Sequence, residues 1–350
     1  MKALWLVTSD VMQLASSRDP EGALLRYQVA SIRMRAGVAA LAWRRGGNEN
    51  VFLDPETPDA DQMVDWPAVK ICILPKFYPD TPPLPWYGAC AAAKTHGCAL
   101  VIDISDYPGN KPPVVQAFYA EALKICDAAV VNSERMAQLM APHVSQRPLV
   151  IQDAILGEIE EPEFAPADRL RLLWFGHHMN LRYLRPCFET LVPFAMRRPC
   201  ALTLVTTRGF GAEEMVQDLR ARYAPALQAE FVEWSLASLN DVLRSSDLVL
   251  IPSDPSMATK AGVSANRIAE VLRAGRFPIA SPMHSYLPFS DSSWLGEDLT
   301  QGILWALANP DEVRARIRRG QALVAQQFMA DRIGQRWCAL FENLVNSHAC

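Results

Sequence analysis

The most telling spacing in this chain lies between positions 248 and 275. A short apolar run, Leu248–Ile251, ends in Pro252-Ser253-Asp254. After a polar loop comes Lys260-Ala261-Gly262-Val263-Ser264-Ala265-Asn266-Arg267-Ile268-Ala269-Glu270. The apolar run reads as a buried parallel strand, and Ile268, Val271 and Leu272 fall at the spacing of a helix stripe that faces a core. Ser264 reads as the N-cap of that helix and Gly275 as its stop. Arg267 and Glu270 are three apart and share the face away from the stripe. A nucleoside diphosphate asks for cations and free N–H groups at its phosphates, and for a carboxylate at its ribose hydroxyls. Lys260, Ser264 and Arg267 are placed for the first task and Glu270 for the second. The structural alternative is an i,i+3 ion pair on a solvated face.

Other chemistry-bearing residues follow apolar runs in the same way. After Leu170–Phe175 comes Gly176-His177-His178-Met179-Asn180, where His177 and Asn180 could meet a diphosphate or sugar at a helix start. Arg208 follows the run Ala201–Val205 and could reach phosphate oxygens. Asp103 and Asp106 flank the end of Ala99–Ile104, where a carboxylate held near a low-dielectric region with a raised pKa could act in acid–base catalysis. Turn chemistry before Pro108-Gly109 is their other reading. Lys76, just past Val69–Leu74, is a candidate donor or acceptor contact. His96, before a glycine, reads as a helix cap. No Asp-x-Asp stands at a strand end to carry a metal-bound diphosphate, so the expectation is chemistry without a metal or other cofactor.

The elements that must position these residues alternate between short apolar runs and helical-period segments. Strands are expected at Leu4–Val7, Val69–Leu74, Ala99–Ile104, Ala128–Val131 and Leu149–Ile151. A second set is expected at Leu170–Phe175, Ala201–Val205, Ala229–Val232, Leu248–Ile251 and Pro278–Ala280. Strands separated by helices imply right-handed, doubly wound sheets. Gly157–Asp168, with two prolines, an acidic run and no periodicity, reads as the linker between two Rossmann-like halves. Asp311–Val345 reads as helical.

The 350 residues are 50% hydrophobic and 21% charged, a composition able to build two cores. The net charge of -4 and the lack of a basic face argue against a nucleic-acid partner. Arg33, Arg35, Arg44 and Arg45 form one basic cluster; Arg314, Arg316, Arg318 and Arg319 form another. Both read as solvated helix faces, with peripheral contact to an anionic membrane as the alternative. The eight cysteines show no metal spacing and read as reduced, buried thiols. The start does not read as a signal peptide, and no run is long enough to span a bilayer. The expectation is a cytoplasmic protein, at most working at the inner face of a membrane.

The run Leu172-Leu173-Trp174-Phe175-Gly176, then Ile251-Pro252-Ser253, the Glu270 helix and Arg276-Phe277-Pro278-Ile279-Ala280 resemble the donor domain of GT-B glycosyltransferases, in particular the family-4-like (group 1 type) bacterial enzymes. More faintly, Arg26-Tyr27-Gln28 with Gly37, Ser105-Asp106 after Ala99–Ile104, and Ala129-Val130-Val131-Asn132-Ser133-Glu134 resemble the acceptor domain. The resemblance implies two Rossmann-like domains facing a cleft: an acceptor domain over 1–158, a donor domain over 168–330 and a helix over 331–350 that crosses back to the first. It implies that Glu270 holds the ribose, that Arg26 lies near the acceptor, and that a UDP- or GDP-sugar serves as donor in bacterial surface-glycan synthesis. The acceptor is a glycan, lipid-linked or protein. The family places a second glutamate where this chain has Gly262, so a retaining outcome stays open. A nucleotide-sugar epimerase and a non-catalytic partner subunit remain the alternatives.

Overall fold

Runs of Val, Ile, Leu and Ala with no polar side to offer water must be covered on both faces, and parallel strands flanked by helices do this. The computed structural model describes residues 1–79, 83–257 and 260–348. Its first sheet holds β1 (Lys2–Leu6), β2 (Glu49–Leu53), β3 (Val69–Leu74), β4 (Ala99–Ile104), β5 (Ala128–Val131) and β6 (Leu149–Val150). Its second holds β7 (Leu170–Phe175), β8 (Cys200–Thr206), β9 (Leu227–Glu233), β10 (Leu248–Ile251), β11 (Phe277–Ala280) and β12 (Trp294–Leu295). Every neighbouring pair is parallel. All six residues of β4 are buried, as are all four of β10 and of β11.

The strand order is β2-β1-β3-β4-β5-β6 in the first sheet and β12-β11-β10-β7-β8-β9 in the second. In each, the winding reverses once, between β1 and β3 and between β7 and β10. At such a reversal the connecting helices leave to opposite faces, and a crevice opens at the strands' carboxyl ends. Lys76 follows β3. Gly176 follows β7, and the Lys260–Glu270 segment follows β10.

β2 and β12 were not anticipated. β2 is an edge strand whose Glu-Asn-Val-Phe-Leu sequence is only partly buried, and β12 is two residues long. The helical stretch Asp311–Val345 is formed by two helices, Pro310–Gln327 and Ala330–His348. They break where the backbone at Phe328 and Met329 pairs with Ile155.

Contacts divide the chain into two units. The first is Met1–Leu156, Gly262–Ser264 and Gln327–Cys350; the second is Gly157–Ala261 and Ala265–Gln326. In the first unit, alternate strand residues feed separate cores on the two faces of the sheet, as strand geometry dictates. Leu4, Leu6, Cys72 and Leu74 face one core; Ala3, Trp5, Ile71 and Ile73 face the other, where Ile333, Trp337 and Phe341 of the last helix join them. The second unit has one core around Leu172, Trp174, Leu202, Leu250 and Ile279. The segment read as a linker is bound to this unit: Glu160 N–H donates to Arg273 O, Glu163 N–H donates to Gly275 O, and Gln321 Nε2 donates to Glu160 O.

Seven cysteines are free thiols, and burial pushes Cys72 well up and Cys90 to about 12. Cys350 lies outside the described residues. Among those residues no helix is long and apolar enough to cross a membrane.

Candidate functional site

At the reversal point of the second sheet, two polar side chains, Arg267 and Asn180, approach Gly176, and Lys260 is held to Asn180. This glycine has φ of +155°. A Cβ there would lie 3.4 Å from Arg267 Nη1 and 3.8 Å from Asn180 Nδ2. Lys260 Nζ donates to Asn180 Oδ1 at 2.6 Å and lies 5.3 Å from the centre of the Tyr183 ring. Arg267 thus lies against the bare backbone of Gly176 after β7, and Lys260 reaches the same turn through Asn180. Arg267 Nη1 is buried without a hydrogen-bond partner, and Arg267 has no salt bridge among the described residues. Burying a guanidinium N–H unpaired is costly, so this group is built to receive an acceptor atom. Thr206 Oγ1, at the end of β8, and His178 Nδ1, in the turn after β7, are likewise buried and unpartnered.

The helix carrying Arg267 runs Asn266–Arg273. Its N-cap is Ala265, not Ser264, and no side chain caps it. Ser264 therefore does not have the expected capping role, and the first-turn N–H groups keep their partial positive charge. One turn on, Glu270 accepts from Arg273 Nε at 3.1 Å and from Arg273 Nη2 at 3.0 Å. The Arg273 side chain is 3% exposed and also donates to Glu160, Glu158 O and Asn240. Arg273 was not foreseen. It is the cation that orients the ribose candidate, and its only mark in the sequence is the i,i+3 spacing to Glu270.

His177 accepts from Met179 N–H through Nδ1, the capping role of a turn, and its ring centre is 4.0 Å from that of His178. Arg208 is engaged with Glu233 and Glu213 and packs over Phe231.

In the first unit, the expectation for Asp103 is corrected. It is 2% exposed, and both its oxygens accept from Arg35 Nε, at 2.9 and 2.8 Å. Arg35 is fully buried and also donates to Asp153 and Ile151 O, with Trp337 5.6 Å away. Burial raises the Asp103 carboxyl's pKa and Arg35 pulls it down, with a net rise. The group nevertheless faces the core. Arg33 is buried as well, donating to Tyr27 O and Gln28 O, so of this basic cluster only Arg44 and Arg45 lie on a solvated face.

Asp106 is half-buried and accepts from Lys76 Nζ at 2.8 Å, with Lys111 Nζ at 3.5 Å. Burial acts to raise its pKa, but the two lysines and Tyr78 outweigh this, and the net shift is downward. The expected raised pKa is thus reversed. Both lysines lie over the Tyr78 ring, at 4.9 and 4.5 Å. Arg26 is exposed beside Asp19, 3.8 Å away. Gly262 groups with this unit, where a Cβ would come within 2.4 Å of Met136 Cε. A glutamate there would have to displace Met136. His96 ends the Leu84–Thr95 helix and stacks on Trp66.

No protein-family model matches this sequence, and no curated protein matches it. Solved structures do match its fold. The chain is similar to HepE from Anabaena, solved in complex with UDP and glucose. Identity is 12%, with 98% of this chain and 99% of that one covered and a TM-score of 0.65. It is similar to sucrose-phosphate synthase from Thermosynechococcus elongatus, at 14% identity over 99% and 100% of the two chains, with a TM-score of 0.68. A glycosyltransferase from Rickettsia africae matches at 12% identity over 98% of each chain, with a TM-score of 0.65. The fold is therefore α/β with two Rossmann-like units, the GT-B class.

Proposed function

We propose that this protein is a glycosyltransferase that binds a nucleotide sugar on its second unit and moves the sugar to an acceptor. The observation that carries the reading is the unpartnered, buried Arg267 Nη1 beside Gly176, at the reversal point of a doubly wound sheet. Arg267, Lys260 and the uncapped start of the Asn266–Arg273 helix receive the diphosphate and offset the charge that grows on it as the sugar leaves. Glu270, held by Arg273, accepts from the ribose hydroxyls. Asn180 keeps Lys260 in place. The first unit receives the acceptor, a glycan free, lipid-linked or on protein. Lys76 and Asp106, near that sheet's own reversal point, are the contacts we assign to it. With its pKa lowered, Asp106 is ionised at neutral pH and acts as a base or an electrostatic contact rather than as a proton donor. The likeness in fold to HepE, solved with UDP and glucose, supports a uridine nucleotide as the first donor to try.

Calorimetry on wild type, Arg267→Ala and Glu270→Ala with UDP, GDP and their sugars tests this. Loss of a charge-assisted bond at a buried site removes about 1.5–3 kcal/mol, roughly a tenfold or greater loss of affinity. The Arg267 variant should lose it for pyrophosphate too, and the Glu270 variant only for ligands with ribose hydroxyls. Wild-type protein that binds no nucleotide, or an Arg267 variant that binds as tightly, would sink the assignment. Gly262 favours one second reading, a subunit that binds the nucleotide without transferring sugar. Release of UDP from a UDP-sugar in the presence of acceptor separates the two.

A further inference from the structure

Between β8 and the Ala212–Tyr223 helix, three consecutive residues take left-handed conformations. Gly209, Phe210 and Gly211 have φ of 77°, 59° and 87°. Glycine enters that region freely, whereas for a bulky side chain it is a strained outlier of the kind that gathers at functional sites. Phe210 recovers little by burial, because it is 68% exposed. What it does have is a partner. The His178 imidazole lies against it with ring centres 3.8 Å apart and planes 7° from parallel. His178 is in the turn after β7, two residues from Asn180, the side chain that holds Lys260. Its Nδ1 is buried and unpartnered. The nearest cation in sequence, Arg208, is taken up by Glu213, Glu233 and Phe231. The strained loop thus holds an aromatic ring flat on a histidine and mostly in solvent, on the same strand ends as the phosphate-binding cations.

From this placement we infer that Phe210, backed by His178, is a stacking platform for a ring of the bound donor, either its flat nucleobase or the C–H face of its hexose. The inference rests on the nucleotide-sugar reading above and extends it from the charged part of the donor to an apolar part. Stacking on an aromatic side chain asks only for a ring face and is indifferent to hydrogen-bonding pattern. Such a contact has to be held rigidly and left uncovered, which is what the left-handed loop does. The ring must also be within reach of the diphosphate, which the shared turn His178–Asn180 provides.

The test uses Phe210→Gly, Phe210→Asn and Phe210→Tyr. Glycine suits the left-handed backbone, and asparagine tolerates it without a ring. The melting temperature of Phe210→Gly should therefore equal or exceed that of wild type. Calorimetry is run with pyrophosphate, with the tightest of UDP-glucose, GDP-mannose and dTDP-glucose, and with its parent nucleotide. Pyrophosphate affinity should be the same for all four proteins. The nucleotide sugar should bind roughly tenfold more weakly to the Gly and Asn variants and normally to the Tyr variant. A parallel loss with the parent nucleotide assigns the platform to the base; an unchanged parent nucleotide assigns it to the hexose. Equal binding of the nucleotide sugar to wild type and to both ringless variants overturns the platform while leaving the donor site standing. Wild-type protein that binds none of the three sugars removes the nucleotide-sugar reading and the platform with it.

Discussion

Asp103 and Asp106 lie three positions apart, yet Arg35 engages the first in the core while two lysines and solvent share the second. The difference has a consequence for pH. The folded-state pKa of Asp106 is below its ordinary value of 3.8, so its pairing stabilises the fold above the unfolded pKa and is lost as pH falls through the lower folded value. The stability gap between wild type and Asp106→Asn, measured by urea unfolding, should be constant from pH 7 to about 5 and should close below about 3.8. A gap that shrinks already between pH 7 and 5 would place the folded pKa on the other side. The sequence allowed both aspartates a catalytic or a turn role, because nothing in it revealed the partner of either. Arg35 was misread for a more specific reason. It was grouped with its basic neighbours, although Arg35, Ala39 and Trp43 fall four apart and all three are buried. A π-helical turn over Ile32–Ala36 carries it there. Lys260, Arg267 and Glu270 can be nominated from sequence because strand end, loop and helix stripe are local patterns. Arg273 cannot, because its partners Glu160 and Asn240 are distant in sequence.

At the scale of elements, Gly275 shows why some boundaries are readable. It ends the Asn266–Arg273 helix in a left-handed conformation, φ 68°, as an apolar stripe followed by glycine announces. The sequence does not announce the second demand on it. A Cβ there would lie 2.1 Å from Glu161 O, the backbone strap that leads into the second unit. Gly275→Ala combines an unfavourable φ with a backbone clash and should cost at least about 1–3 kcal/mol in chemical unfolding. The strap would loosen with it, and with the strap the Glu160–Arg273–Glu270 chain, so nucleotide affinity should fall as well. An alanine variant as stable as wild type would show that the strap is not held there. Ten strands were readable from apolar runs. The two that were not, β2 and β12, lie where a strand is stabilised by neighbours rather than by its own composition.

For the whole molecule, the division into two sheets was legible in the spacing of strands and helices, but the discontinuity of the first unit leaves no trace in composition. The Ala330–His348 helix belongs to the core built from Trp5, Val38 and Trp43. Its Gly334 is close-packed, since a Cβ there would come 2.6 Å from Ala42 Cβ. Trp337 is 1% exposed, meets Phe341 at 5.7 Å and covers the Arg35 guanidinium. Trp337→Ala should cost about 3–5 kcal/mol. The loss should appear in a thermal scan as a transition of the first unit that moves down, while nucleotide affinity in the second unit is kept. Equal loss of both would mean the units do not unfold separately. The helix also sets an order on biosynthesis. A ribosome that has released residues 1–156 has not yet made the piece that closes their core. The intervening chain must be translated first, roughly 10–40 s of work at ordinary bacterial-to-eukaryotic rates. During that interval the tryptophans at 5 and 43 stand open on a nascent chain. The first unit, although its sheet is made before the second, is completed only after the second unit's chain has been made.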